Sequence, residues 1–165
     1  MYQANNKLYS LPQLLVQVSG RRAEGERMVF TNGCFDLLHW GHLRYLEEAR
    51  KLGDYLVVGL NSDSSVEVLK GKTRPLFAEK HRGELIAGLA CVDYVTIFSE
   101  PTASALIAAL KPEVYVKGGD YEDPRTLPEA EGVIQYGGEI KLLPGAEGVS
   151  TSKIIEAIIK GEGRI

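Results

Sequence analysis

The sequence predicts an α/β fold, a Rossmann-like five-stranded parallel sheet with helices on both faces, preceded by an N-terminal helix. Two observations support this fold class. From Arg27 onward, short apolar runs rich in β-branched residues alternate with segments of helical periodicity, and strands joined through helices run parallel with right-handed crossovers. The length of 165 residues lies in the usual range for one domain, so we expect a single active site.

The N-terminal helix is predicted where apolar residues recur at helical spacing between Leu11 and Val18. The Arg, Glu and Gly residues of segment 20–25 end it. We therefore divide the chain into a helical extension, residues 1–26, and a main domain, residues 27–165.

The elements of the main domain follow from two periodicities. Strands are predicted where apolar runs are short and rich in β-branched and aromatic residues: residues 28–31, 55–60, 94–98, 114–116 and 140–143. Helices are predicted where apolar residues recur every three or four positions: about residues 42–52, 79–90, 102–110, 128–136 and 152–159. Ligands of such sheets bind beyond the carboxyl ends of the strands, so the loops after the strands are expected to carry the chemistry.

Composition excludes several classes of protein. The formal charge is −3 with both signs mixed along the chain, which argues against a nucleic-acid partner. Cys34 and Cys91 form no Cys-x-x-Cys pair, so neither a disulfide framework nor a structural zinc site is predicted, as is typical of a reducing cytosol. The sequence shows no signal-peptide cleavage pattern and no apolar run of spanning length. We expect a cytoplasmic protein with no membrane partner.

The loop after the first predicted strand is the richest in functional side chains. Residues 31–42 read Thr-Asn-Gly-Cys-Phe-Asp-Leu-Leu-His-Trp-Gly-His. The spacing of His39 and His42 at a helix start places both imidazoles on one side, near backbone N–H groups that favour anions. Gly33 and Gly41 lack a Cβ and are expected to let a ligand approach the backbone closely. These features predict a phosphate site.

Two other interpretations of the histidine pair are open at this point. Histidines near a helix start also serve as capping or surface residues. A metal site needs a third ligand, which His81 could supply, although no carboxylate pattern surrounds it.

This loop resembles the signature of the cytidylyltransferase-like nucleotidyltransferases, which carry His-x-Gly-His after a Gly-x-Phe-Asp turn. The resemblance covers about residues 29–159 and continues in loops that follow predicted strands: residues 61–63, 69–75, 116–121 and 149–155. Ordered motifs of this kind are far more specific than His-x-Gly-His alone.

Within this superfamily the sequence most resembles the heptose 1-phosphate adenylyltransferases. Residues 117–121 read Lys-Gly-Gly-Asp-Tyr, the form associated with those enzymes, where glycerol phosphate and phosphocholine cytidylyltransferases have Gly-Asp-Asp-Trp. Residues 145–148 read Gly-Ala-Glu-Gly in place of their Arg-Thr-Glu-Gly. The missing Arg removes a bidentate phosphate donor, so the triphosphate must be held differently.

The resemblance implies that a sugar 1-phosphate attacks the α-phosphorus of ATP, releasing pyrophosphate and giving an ADP-sugar for cell-surface polysaccharide. It implies a catalytic set of His39, His42, Lys70, Ser150 and Thr151. It implies nucleotide binding by Asn32, Gly33, Cys34, Phe35, Gly41, Gly118, Gly119, Asp120 and Ser152. It implies substrate binding by Asp36, Asn61, Asp63, Lys72, Arg74 and Arg82. Mg²⁺ is expected on the ATP phosphates, with no ligand from protein side chains, because the sequence shows no acidic cluster.

Several of these residues have a structural interpretation as well. Every second residue is cationic at Lys70, Lys72 and Arg74. In an extended loop these side chains would face one way and form a cationic patch; the alternative is a charged loop exposed to solvent. Asp36 would orient a substrate partner or hold the turn. Ser150 and its neighbours would bind phosphates or cap the last helix.

Lys117 is a candidate for facing solvent. Trp40 and Cys91 are expected to pack in the interior.

Alternative functions remain at this stage. A cytidylyltransferase acting on glycerol 3-phosphate and an FMN adenylyltransferase share the chemistry, whereas a nucleotide-sensing module would bind ATP without turnover. A flavodoxin-like partner domain would bind no nucleotide. From the resemblance we also expect a homodimer and a separate sugar kinase that supplies the sugar 1-phosphate.

Overall fold

The computed structural model describes residues 4–119, 121–145, 149–161 and 163. Within these residues, five strands form one parallel sheet in the order β3-β2-β1-β4-β5. The strands are β1 (Met28–Gly33), β2 (Tyr55–Asn61), β3 (Tyr94–Phe98), β4 (Val114–Gly118) and β5 (Glu139–Leu143). The predicted fold class is confirmed.

The helices are α1 (Leu11–Ala23), α2 (Trp40–Arg50), α3 (Asp63–Lys70), α4 (Glu79–Ala87), α5 (Ser104–Leu110), α6 (Ala130–Gln135) and α7 (Thr151–Lys160). Short 3-10 turns span Ala4–Lys7 and Pro124–Thr126. None of the helices in the described ranges is long and apolar enough to cross a membrane.

The two faces of the sheet carry separate cores, as the two-residue period of a strand dictates. In β1, Met28 and Phe30 pack on the face covered by α1, α5 and α6. Val29 packs on the opposite face, which α2 and α4 cover. All three side chains are fully buried, so β1 is central to both cores.

Helix α3 was not predicted. Its first turn is polar, and its N-cap is Ser62, whose hydroxyl accepts a hydrogen bond from the Ser65 N–H at 3.2 Å. The capping serine was the available signal for this helix. Because Lys70 ends α3 instead of beginning an extended loop, the alternation argument for Lys70, Lys72 and Arg74 is wrong.

The N-terminal segment packs against the sheet. Leu8 forms a parallel bridge with Val95 of β3, and the Tyr9 N–H donates to the Val95 carbonyl at 2.9 Å. Leu14 and Val18 of α1 are buried in the core on one face of the sheet. This segment therefore covers part of the edge beside β3 and one face of the sheet.

The strand order places a crevice between the ends of β1 and β4. These neighbours pair in parallel, with Thr31 opposite Val116. After β1 the chain continues to β2 on one side of β1, whereas after β4 it continues to β5 on the other side of β4. The loops that follow β1 and β4 therefore lead away from each other. In sheets of this type, ligands bind at such a switch point.

Candidate active site

A cavity of about 610 Å³ opens at the carboxyl ends of β1 and β4. Of the predicted site residues, it is lined by Asn32, Gly33, Cys34, Phe35, Asp36, His39, Gly41, His42, Lys70, Gly118, Gly119, Ser150, Thr151 and Ser152. Other lining residues were not predicted as site residues: Tyr45, Lys117, Gly145, Val149 and Lys153. Asp120 lies outside the described residues.

His39 is the N-cap of α2. Its Nδ1 accepts a hydrogen bond from the Gly41 N–H at 3.1 Å. An imidazole whose Nδ1 accepts carries its proton on Nε2 when neutral. Capping and ligand binding are therefore compatible in His39, because capping uses only one of its ring nitrogens.

His42 stacks on His39, with ring centroids 3.8 Å apart and planes at 22°. The Phe35 ring meets His42 edge-on at a centroid distance of 5.2 Å. Burial is the main cause that lowers the pKa of His42 to about 4, and the nearby charges of His39 and Lys70 lower it further. Burial also lowers the pKa of His39. At neutral pH His42 is therefore an uncharged imidazole beside the Lys70 ammonium.

Asp36 holds the loop between α3 and α4 in place. Its side chain is fully buried, and its Oδ2 accepts from Arg74 Nε at 2.5 Å. Its Oδ1 accepts from the backbone N–H groups of Leu76 and Phe77 at 2.6 and 3.2 Å. Of the two interpretations, holding the chain in place fits these contacts, because both oxygens are occupied by protein donors.

Arg82, which was predicted to bind substrate, does not line the cavity. Arg82 is fully buried outside the cavity. Its guanidinium donates to the carbonyls of Phe77, Cys34 and Asn61 at 2.6 to 2.9 Å. It also pairs with Asp63 Oδ1 at 2.8 Å. A guanidinium with four of its five N–H groups donating within the protein stabilises the loops around the cavity.

Four more predicted substrate residues lie away from the cavity lining. The Asn61 side chain is buried and donates to Ser65 Oγ at 2.9 Å. Asp63 pairs with Arg82 and accepts from the Glu79 N–H. Arg74 pairs with Asp36, and Lys72 is exposed in the loop after α3. Direct substrate contact by these residues is not what the geometry favours, so the predicted cationic patch reduces to Lys70 at the cavity.

Two glycines make room for aromatic rings of the protein itself. A Cβ on Gly33 would lie 3.0 Å from the Phe35 ring, and one on Gly118 would lie 2.8 Å from the Tyr45 ring. The Tyr45 hydroxyl is fixed there by Thr31 Oγ1 at 2.6 Å and the Val116 carbonyl at 3.2 Å. Both glycines therefore let the cavity wall pack, and since both also line the cavity, close approach of a ligand to their backbone stays a prediction.

Asn32 receives two hydrogen bonds on its side-chain oxygen, from the Tyr115 hydroxyl at 2.9 Å and from Lys117 Nζ at 3.2 Å. Since an ammonium can only donate, these contacts assign the amide oxygen and leave the amide nitrogen as a donor. Lys117 is not directed to solvent. It lines the cavity, and burial lowers its pKa.

The start of α7 also lines the cavity. Ser150 is its N-cap, and the hydroxyl accepts from the Lys153 N–H at 3.3 Å. Thr151 and Ser152 follow in the first turn, where unpaired N–H groups and the helix dipole favour anions. Capping by Ser150 is observed, and it places the first turn of α7 at the cavity.

Two residues were expected to pack in the interior. Trp40 does not, because 61% of it is exposed. Cys91 does, against the core on the α2 and α4 face.

The cavity is suited to binding a polyanion. It is lined by Lys70, Lys117 and Lys153, by two imidazoles and by the first turn of α7. Among the described lining residues Asp36 is the only carboxylate, and its oxygens are already paired. Donors and cations arranged in advance around phosphate oxygens stabilise the charge of an in-line displacement at phosphorus.

Known proteins are similar to this chain in sequence and fold. A family model described as cytidylyltransferase-like matches residues 30–157. A solved structure, the lipopolysaccharide core biosynthesis protein from Thermoplasma volcanium GSS1, is similar with a TM-score of 0.59 and 34% sequence identity. That match covers 74% of this chain and 98% of the other.

The chain is also similar to curated proteins named bifunctional protein HldE. The one from Pelobacter propionicus is 50% identical over 157 residues, which cover 95% of this chain and 32% of the relative. The one from Geotalea uraniireducens is 51% identical over 155 residues, which cover 94% of this chain and 31% of the relative. The chain therefore spans about a third of the length of these relatives.

Proposed function

Because the chain belongs to the cytidylyltransferase-like family and is a nucleotidyltransferase, we propose that it transfers AMP from ATP to a sugar 1-phosphate. The acceptor we propose is heptose 1-phosphate, and the products are ADP-heptose and pyrophosphate. The similarity to a lipopolysaccharide core biosynthesis protein, at 34% sequence identity, supports a sugar acceptor.

The observation that carries this proposal is the stacked pair of His39 and His42 facing a cavity rich in lysines. With its Nδ1 occupied by the Gly41 N–H, His39 presents Nε2 as its donor. His42 is neutral above about pH 4, so it donates without adding a buried charge. Both are suited to α- and β-phosphate oxygens, on which negative charge grows as pyrophosphate leaves.

In this reaction an oxygen of the sugar phosphate attacks the α-phosphorus, and the bond from that phosphorus to the bridging oxygen breaks. The acceptor is already ionised at neutral pH, so the protein needs no general base and forms no covalent intermediate. Its task is to hold two anions in line. Lys70 and the first turn of α7 are placed to neutralise and bind the phosphates.

Among the described cavity-lining residues no carboxylate is free to bind Mg²⁺, so we propose that the metal is bound through the nucleotide. The Asp36 oxygens are occupied by Arg74 Nε and by backbone N–H groups, so this carboxylate has little capacity for a cation. Phosphate oxygens and water would hold the metal, which would supply charge neutralisation on the triphosphate.

We also propose that a sugar kinase supplies the sugar 1-phosphate and that the protein forms a homodimer. The similar proteins are named bifunctional and are about three times as long as this chain, which leaves room in them for a second activity. Light scattering of the purified chain tests the dimer.

A substrate panel tests the reaction. Pyrophosphate release is measured with ATP and with CTP, each against heptose 1-phosphates of both anomers, glycerol 3-phosphate and FMN. We expect turnover with ATP and a heptose 1-phosphate. Activity with CTP alone would assign cytidylyl transfer, turnover with FMN would assign flavin adenylylation, and ATP binding without turnover would assign nucleotide sensing.

The double variant His39→Ala/His42→Ala tests the site. Removing both donors is expected to lower kcat by at least about a hundredfold, the effect of one lost oxyanion donor. The matched control is His81→Ala, an exposed histidine on α4, which should retain wild-type kcat. Wild-type turnover by the double variant would contradict the assigned roles.

A further inference from the structure

Lys117 places an ammonium group at the cavity, at the carboxyl end of β4. Its Nζ donates to the side-chain oxygen of Asn32 at 3.2 Å, which uses one of its three N–H groups. None of the carboxylates in the described part of the chain forms an ion pair with it, and burial lowers its pKa although the charge of Glu129 acts in the opposite direction. A cation that is partly withdrawn from water and has no ion-pair partner favours an anionic ligand.

Lys117 and the histidine pair reach the cavity from different faces of the sheet. Side chains alternate along a strand, so Lys117 shares a face with Tyr115, which belongs to the core beneath α1, α5 and α6. The Tyr115 hydroxyl reaches the same Asn32 oxygen at 2.9 Å, as expected for neighbours on one face. His39 and His42 lie at the start of α2, which covers the other face. The cavity therefore lies between two separate groups of donors.

The geometry of the reaction requires two such groups. In an in-line displacement, the attacking and leaving oxygens lie on opposite sides of the α-phosphorus. Lys70 lies close enough to His42 for its charge to lower the His42 pKa, so Lys70 and the histidines form one group, which suits the phosphates of ATP. Once ATP occupies that side, the attacking phosphate must approach from the other. Apart from Lys153 of α7, Lys117 is the remaining lysine among the described lining residues.

We propose that Lys117 binds the phosphate group of the acceptor, and that Asn32 holds the ammonium in place at the end of β4. The ligand of this subsite is the phosphate monoester of the sugar 1-phosphate, not the triphosphate of ATP. This inference rests on the proposed function and deepens it, because it assigns a cation to the second anionic substrate. Lys72, Arg74 and Arg82, which the sequence predicted for that task, do not line the cavity.

Two other roles for Lys117 make different predictions. A lysine that binds the nucleotide would weaken ATP binding when its charge is removed. A lysine that only holds the Asn32 side chain would be replaceable by any residue that donates to the same oxygen. Lys117→Met removes the charge and the donor, whereas Lys117→Gln removes the charge and keeps an amide N–H donor.

The experiment measures the KM of each substrate for pyrophosphate release, with the other substrate at saturation. Lys117→Met should raise the KM for heptose 1-phosphate at least about tenfold, the effect of losing one charge-assisted hydrogen bond. Its KM for ATP should stay within about twofold of the wild-type value. Lys70→Met should show the converse, a raised KM for ATP. Lys72→Met removes an exposed charge outside the cavity lining and should keep both values.

Lys117→Gln should raise the acceptor KM as Lys117→Met does, and it replaces that variant if thermal melts show that Lys117→Met is unfolded. A wild-type acceptor KM in Lys117→Gln would overturn the inference.

Calorimetric titration with ATP alone needs no turnover. Lys117→Met and Lys117→Gln should bind ATP with the wild-type Kd, and ATP binding as weak as that of Lys70→Met would overturn the inference. If heptose 1-phosphate gives no turnover, the proposed function fails by itself. The KM comparison is then made with the phosphorylated acceptor that the substrate panel identifies, and the ATP titration still decides whether Lys117 belongs to the nucleotide.

Discussion

At the scale of single residues, burial decides the chemistry of the histidine pair. The motif alone left capping, metal binding and phosphate binding open for His39 and His42. The structure shows His39 capping α2 through one nitrogen, and a largely desolvated His42 stacked on it. Helix capping and phosphate binding, which the motif presented as alternatives, can be combined in His39 because an imidazole has two nitrogens.

The lowered pKa of His42 predicts a loss of stability in acid. The unfolded chain takes up a proton near pH 6.5, whereas the folded chain does so only near pH 4. The contribution of neutral His42 is therefore complete above about pH 6.5 and is lost as the pH falls towards 4. We expect the Tm difference between pH 7 and pH 5 to be smaller in His42→Gln than in the wild type.

Thermal melts at both pH values measure this difference. His81→Gln is the control, since its histidine is exposed on α4, and its Tm difference should equal that of the wild type. An unchanged difference in His42→Gln would show that His42 does not titrate as described.

Arg82 illustrates what a motif cannot distinguish. A guanidinium binds carbonyl oxygens as readily as phosphate oxygens. Its partners here come from Cys34 and Asn61, distant in sequence. Only the fold brings those carbonyls to Arg82, so the sequence alone could not reveal these contacts.

Arg82→Met should therefore destabilise the fold by about 3 kcal/mol, because several buried acceptors lose their donor. The free energy of unfolding is measured by denaturant titration. The control Lys80→Met removes an exposed charge from the same helix and should change it by less than about 0.5 kcal/mol. Equal effects of the two substitutions would contradict the structural role.

At the scale of elements, most of the sheet could be predicted, because buried parallel strands are short apolar runs and their covering helices keep a three- to four-residue period. Helix α3 was missed because its first turn is polar and its signal is one capping serine, Ser62. The error had a consequence for function. Because the helix was missed, Lys70 was predicted to lie in an extended cationic loop, whereas it is the last residue of α3.

The start of α7 offers a way to separate capping from phosphate binding. Ser150→Ala removes the cap on the Lys153 N–H and should cost about 1 kcal/mol. Ser150→Asp restores a good cap but places a negative charge at the cavity. We expect it to raise the Tm above that of Ser150→Ala while weakening ATP binding at least about tenfold.

Calorimetric titration with ATP and thermal melts measure the two effects on the same samples. The separate single variant Ser152→Asp also adds a negative charge to the first turn of α7, but it leaves the N-cap residue Ser150 unchanged. ATP binding by Ser150→Asp as tight as in the wild type would show that Ser150 serves only as a cap.

At the scale of the whole molecule, the N-terminal segment belongs to the sheet. Residues 8 and 9 lie along β3, and α1 buries Leu14 and Val18 in the core. Periodicity predicted α1, but it could not show where α1 packs. Its position depends on contacts with β3 and α5, which are far along the chain.

Removal of residues 1–26 should therefore be strongly destabilising. It exposes a sheet face and an edge strand, and each buried Leu or Val contributes about 2 kcal/mol. We expect the Tm to fall by about 10 °C or more. The control Val16→Thr alters a side chain of α1 that is 67% exposed and should keep the Tm. A wild-type Tm after the truncation would make the segment an independent extension.

The local chain by itself determined the alternation of strands and helices, the loops that carry functional side chains, and the resemblance to a nucleotidyltransferase family. Those properties depend on neighbours within a few positions, where backbone geometry sets the period. Only the tertiary structure decided which side chains face the cavity. His39, His42 and Lys117 do, whereas the Arg82 guanidinium donates to groups of the protein itself. The physical reason is that a buried polar group forms hydrogen bonds with the partners that the fold brings within reach. Those partners come from segments that are distant in sequence.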